Sequence, residues 1–142
     1  MVRGNPANGN GKLTSFEVWA NSDLSGVKIG TFYGSGNSWT PRDYESIGNV
    51  TAGSKQTFTG KDCDVQTNDI LGAYRTGGNM ERDTSGGDGA AYKSGDQFGA
   101  GTQTYTDSPG VADSYYATGS TLLPFNRHDM NGGFNQLNGG MQ

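Results

Sequence analysis

Short alternating runs, each closed by a cluster of Gly, Asn, Asp or Ser, recur along this chain about every 10–14 residues. None of them holds a helical period for three turns, so the chain is constrained to short strands joined by turns. In residues 13–20, Thr14, Phe16, Val18 and Ala20 share one face, and Leu13, Ser15, Glu17 and Trp19 share the other. The first set is the expected core face. In the next run Val27, Ile29, Thr31 and Tyr33 lie together. With the turn cluster of residues 21–26 between them, these two runs predict a hairpin. Further strands are expected at 44–50, 55–60 (extending to 65 beyond a bulge at Gly60), 70–76, 90–93, 102–106 and 113–119. The run 70–76 is the most apolar and is expected to be central. Turns are expected at 51–54, 66–69, 77–79, 83–89 and 107–110. The pattern predicts an all-β fold, an antiparallel β-sandwich of jelly-roll type.

Composition tests whether such a chain folds at all. Gly, Ser, Thr and Asn make up 63 of 142 residues, whereas Leu, Ile, Val and Phe supply only 21. That aliphatic share is below the roughly 20% at which disorder becomes an option. Disorder also requires high net charge and few aromatic residues. Here the net charge is −4 and aromatics reach 11%. Six Phe, seven Tyr and two Trp can build a thin core, since each ring buries about 150–250 Å². No apolar run approaches the ~18 residues of a membrane span, so no membrane partner is expected. A pI near 4.7 with ten scattered Lys and Arg argues against nucleic acid as a partner.

Three regions follow. Residues 1–12 are Gly/Asn-rich and read as an N-terminal arm, either flexible or an extended strand joined from outside. Residues 13–119 form the sandwich. Residues 120–142 form a Gly/Asn-rich tail in which 131–137 are echoed by 138–142 on a seven-residue step. This tail carries Leu122, Leu123, Phe125, Phe134, Leu137 and Met141, apolar anchors separated by glycines. They are the expected partner-binding residues, ordering on a neighbouring molecule or back on their own domain.

The residues able to carry catalysis are few. His128 is the only histidine and lies in the tail, away from any rigid pocket. Glu17, Glu45 and Glu81 lie in separate segments, with nothing to pair them for glycoside hydrolysis. No catalytic residue is assigned, and no enzyme activity is expected. The Asp-rich segments 62–64 and 83–88 offer oxygen ligands, but their spacing fits no EF-hand loop. They read as Asx-type turns, so no metal and no cofactor is expected. The Gly-rich stretches 86–89 and 99–101 lack the Lys-Ser/Thr pair of a phosphate loop. Cys63 is the only cysteine, which precludes an intrachain disulfide; flanked by Asp62 and Asp64, it reads as a small apolar strand residue. Asn49-Val50-Thr51 matches a glycosylation triplet but reads as a strand end. Exposed aromatic side chains are the one other chemical resource. Trp39 and Tyr44 are the candidate sugar-stacking residues, and glycans are the alternative partner.

One resemblance extends this reading. The run Val18-Trp19-Ala20-Asn21 is followed by residues 24–33, then Arg42-Asp43 and residues 47–60. With residues 64–74, 83–87 and 92–96, these stretches resemble a domain common in phage and environmental viral structural proteins. The resemblance covers about three quarters of the chain, and it implies a jelly-roll or lectin-like sandwich in a viral particle. The expectation is a non-enzymatic virion protein, such as a capsid decoration or minor surface subunit. Its partners would be its own copies and other particle proteins. The opening residues show no apolar signal region, so synthesis is expected in the host cytoplasm, with the virion surface as final location.

Overall fold

The computed structural model describes residues 1–121. Nine strands run in order: β1 (Gly11–Trp19), β2 (Leu24–Ser35), β3 (Ser38–Val50), β4 (Lys55–Val65), β5 (Ile70–Tyr74), β6 (Arg82–Tyr92), β7 (Gln103–Thr104), β8 (Thr106–Asp113) and β9 (Tyr115–Thr121). Every pairing between them is antiparallel. The sheets are β4-β1-β9, β5-β2-β3-β7 and the ribbon β6-β8. The all-β antiparallel fold expected from the alternation is present, and its sheets stack as a sandwich. The finer description as a jelly roll is not carried by this strand order.

The alternation in β1 places Phe16, Val18 and Ala20 in the core, while Trp19 stays 44% exposed. Thr14 does not join them. The register shifts between Leu13 and Ser15, and this bulge turns Leu13 toward the core and Thr14 to solvent. Opposite it, β4 bulges around Gly60, which has φ 70°, as the glycine in that run predicts.

The expected β1–β2 hairpin does not form. β1 pairs with β4 and β9, and β2 pairs with β3 and β5. Both ends of the intervening turn are tied instead to the segment before β6. Asn21 N–H donates to the Asn79 carbonyl at 2.9 Å, and Ser25 N–H to that of Gly77 at 3.2 Å. The connection, residues 20–23 rather than the six expected, therefore crosses between sheets, because the apolar faces of β1 and β2 pack on each other rather than lying side by side.

β2 is buried on both faces. Val27 and Ile29 join Phe16, Val18, Leu24, Val50, Cys63, Met80 and Tyr115 in one core between the two larger sheets. Phe32, on the other face, packs with Met1, Trp39, Ile70, Ala91 and Tyr105. β5 is an edge strand in its ladder rather than a central one. Its apolar character comes from burial on both faces, with Ile70 in the second core and Leu71 and Ala73 against the first.

The N-terminal segment lies along its own domain. Val2 N–H donates to the Leu71 carbonyl at 3.0 Å, Arg3 N–H to that of Gly89 at 3.1 Å, and Ala7 N–H to that of Asp69 at 2.8 Å. Arg3 also reaches Asp107 at 3.2 Å and the Asn37 side chain at 2.9 Å. Asn68, held at φ 72°, returns its N–H to the Ala7 carbonyl. Residues 1–7 are thus tied back on the sandwich by backbone bonds, neither loose nor extended away from it.

Residues 83–89 and 107–110, expected as turns, lie inside the ribbon β6-β8. Their glycines serve bulges: the register shifts at Gly87, and Gly86, Gly89 and Gly110 all take positive φ. Residues 44–50 are likewise part of one 13-residue strand, because Thr40 and Pro41 continue the ladder with β2.

Replacing Phe16 or Phe32 by Ala should each cost about 3–5 kcal/mol, since both leave cavities in closed cores. Trp19→Ala, on the outer face of β1, should stay near 0.5–1 kcal/mol. Urea titration of the three variants checks the face assignment, and an equal cost for Trp19 would overturn it.

Candidate functional site

Among the described residues a cleft of about 570 Å³ lies on the side of the second core. Its floor is the edge of β5 and the segment after it, from Ala73 to Gly78. One wall is the ribbon β6-β8, through Arg82, Tyr92, Ser108 and Asp113. The other is the loop after β6, through Lys93, Ser94, Gln97 and Phe98. That loop is pinned to the sheet. Phe98 packs on Phe32 and Tyr44 with ring centroids 5.1 and 5.0 Å apart, and Asp96 holds the Lys28 ammonium at 2.5 Å.

Charge is distributed unevenly. Lys12 grips both Asp62 and Asp64, Lys55 holds Glu17, and Lys61 faces Glu45. Arg82 bonds Asp113 at 2.7 Å. The best shielded pair is Arg42–Asp69. Nε and Nη2 of Arg42 reach the carboxylate at 2.5 and 3.0 Å, and Gln66 N–H adds a bond at 2.9 Å. Asp69 is buried, and Tyr33 lies over the guanidinium with 4.6 Å to its ring centroid. Among the described residues only Arg75 and Lys93 have no carboxylate partner. Arg75 Nε donates to the Gly78 carbonyl and Lys93 Nζ to that of Thr104. Both line the cleft.

Tyr105 also lines the cleft, and its hydroxyl is the second unusual group. The side chain is 5% exposed, and Oη has no hydrogen-bond partner among the described residues. Burial raises its pKa, so the hydroxyl stays protonated and able to donate. Tyr115, buried in the first core, differs: its hydroxyl donates to the Leu71 carbonyl at 3.3 Å.

The sugar-stacking candidates fare differently from expectation. Trp39 is only 7% exposed; it packs in the second core and donates its indole N–H to the Gly36 carbonyl at 3.0 Å. It is a core residue, not a platform. Residues 34–38 turn the chain so that Trp39 lies on the same face as Phe32, where the distant Ala91 and Tyr105 cover it. Tyr44 is 39% exposed, but Phe98 and the Lys28 ammonium, 4.9 Å from its ring centroid, already occupy its surroundings. Among the described residues the rings left open are Trp19, Tyr92 and Tyr116, of which Tyr92 lies at the cleft; Tyr33 is covered by Arg42. The partner-binding candidates Leu122, Leu123, Phe125, Phe134, Leu137 and Met141, and His128, fall outside the described residues.

The remaining candidates are structural. Asp62 and Asp64 direct their carboxylates at the Lys12 ammonium, and Asp83 accepts from Ser85 N–H at 3.0 Å in an Asx turn. Glu17 and Glu45 lie on different strands with separate lysines. Among the described residues no helix is long and apolar enough to cross a membrane.

A second groove, of about 320 Å³, runs between residues 5–13 and residues 116–121 of β9. Among the described residues β9 is the outer strand of its sheet.

No protein-family profile, curated protein or solved structure matches the chain.

Cys63 is fully buried in the first core, and burial, reinforced by the Asp43 carboxylate, pushes its thiol up to about 12. At pH 8 it is a neutral thiol without access to reagent. A thiol reagent at pH 8 should label it only after denaturation. The folded state holds this proton more tightly than the unfolded chain, so the associated stability is complete below about pH 8.5 and is lost as pH rises toward 12. Rapid labelling of the native protein would contradict the placement of β4.

Proposed function

We propose that the protein is a non-enzymatic structural subunit of a viral particle, in the first place a phage particle, acting as a capsid decoration or minor surface subunit. The sandwich is the rigid body, and it contacts its own copies and other particle proteins through its β9 edge and the segment that follows.

The observation that carries this reading is the position of β9. Among the described residues it is an edge strand, with a groove beside it, and in the sequence Thr121 is followed directly by Leu122 and Leu123. Unpaired edges and apolar anchors are the two resources by which one chain adds to another. On a symmetric shell many modest contacts of this kind sum by avidity. The turn signatures of residues 13–119 support the particle context through their resemblance to viral structural proteins. In this reading the subunit is made in the host cytoplasm and ends on the virion surface.

Replacing Leu122, Leu123 and Phe125 together by Asp in the full chain should abolish self-association or shell binding. The circular dichroism and thermal midpoint should remain those of the parent. Size-exclusion chromatography with light scattering, alone and with preformed shells, reads the outcome. Unchanged assembly by the triple variant would overturn the role of this segment. A parent chain that stayed monomeric and bound no shell would overturn the particle reading.

A further inference from the structure

We propose that the cleft between β5, the β6-β8 ribbon and the loop of residues 93–98 is a binding site for a carboxylated saccharide, such as a uronate- or sialate-bearing glycan. The inference does not rest on the particle reading.

Three independent features converge there. The first is charge. In a chain of net charge −4, every other described lysine and arginine holds a carboxylate, and the two that do not, Arg75 and Lys93, line one cleft. Both donate to backbone carbonyls rather than to an acid, and Asp113 of the same cleft is already held by Arg82, which leaves the two cations free to meet an anion from outside. The second is the Tyr105 hydroxyl. A buried hydroxyl without a partner costs about 1–3 kcal/mol; its residue lines this cleft, and a ligand oxygen that displaces the groups covering the hydroxyl would relieve that penalty. The third is the aromatic rim. Among the described residues Tyr92 is the most exposed large apolar side chain, at 59%, and with Tyr74 it offers ring faces to the C–H surface of a pyranose.

The volume, about 570 Å³, lies within the roughly 300–1,000 Å³ of small-ligand sites. The polar groups favour a sugar over a nucleotide. Two cations match one or two carboxylates, whereas the acidic balance of the whole chain repels a more densely charged ligand. Ser94, Thr76 and Ser108 supply further hydroxyl partners of the kind that read a sugar's own hydroxyls. The cleft is also rigid on one side, because Phe98 and the Lys28–Asp96 pair fix the loop wall.

The test is titration calorimetry of the full chain with glucuronate- and sialate-terminated oligosaccharides. Each is paired with its methyl ester and with a neutral analogue, and a nucleoside monophosphate is included. The acid forms should bind, and esterification should weaken binding about tenfold, the loss expected from one charge-assisted hydrogen bond. Lys93→Gln should weaken the acid about tenfold and the ester little. Tyr105→Phe should weaken the acid while leaving the thermal midpoint unchanged or raised, because it removes an unpartnered polar atom; a purely structural tyrosine would lower the midpoint and leave binding alone. Equal binding of acid and ester, preference for the nucleotide, indifference to Lys93→Gln, or no binding across the panel would each overturn the proposal.

Discussion

Strand β2 is buried on both of its faces, and the other layers are arranged around that fact. A chain with 21 large aliphatic and Phe residues in 142 cannot fill one thick core. It divides its apolar material into two thin layers that share a strand. Val27 and Ile29 close one layer, and Phe32 anchors the other. Glycines make the second layer possible. A Cβ at Gly72 would collide with the Phe32 ring and the Met1 side chain, and a Cβ at Gly30 with the β3 backbone. Their absence of side chains lets the Phe32 ring, the Met1 side chain and the β3 backbone approach the sheet closely. Residues 1–7 then become part of the sandwich, because Met1 fills space that no strand supplies.

Polar side chains take over where the ladders stop. β4 is the outer strand of its sheet, yet its far half lies beside β3. Asp64 N–H donates to the Asp43 carboxylate at 2.7 Å, Asp62 N–H to that of Glu45 at 3.2 Å, and the Thr31 hydroxyl to the Asp64 carbonyl at 2.7 Å. These bonds satisfy an edge that would otherwise present open donors. They also explain the placement of the basic residues: Lys61 and Lys12 sit where the carboxylates gather. Most of the chain's charge is thereby absorbed in pairs, and the two cations at the cleft stand apart from that pattern.

How legible each part was follows from the range of the interaction. The core faces of β1 and β2 were readable, since alternation along one strand reports its own burial. The bulge at Gly60 was readable from the glycine itself. The pairing of β1 and β2 was not: proximity in sequence favours a hairpin, but the bonds from residues 77 and 79 to the intervening turn, more than fifty residues distant, outweigh it. The same limit hid the ribbon β6-β8, whose glycines look like turns when only one strand is considered. Trp39 was misplaced for a related reason. An aromatic in a polar run suggests a surface ring until the opposite layer, with Tyr105 and Ala91, is known. The cleft residues come from three separated segments and share no spacing, so no local pattern announces them; Tyr92 and Tyr105 were visible only as members of a pool of aromatics.

The sequence by itself determined the class of object: an all-β chain of short antiparallel strands, with aromatic residues standing in for scarce aliphatics. These properties follow from period-two alternation, turn chemistry and composition, which act within about ten residues. The tertiary structure alone decided which strands pair, that the N-terminal residues complete the second core, and that Arg75, Lys93 and Tyr105 meet at one cleft. Those outcomes depend on contacts between segments far apart in the chain, where the competing pairings differ in burial and in satisfied backbone bonds rather than in any local preference.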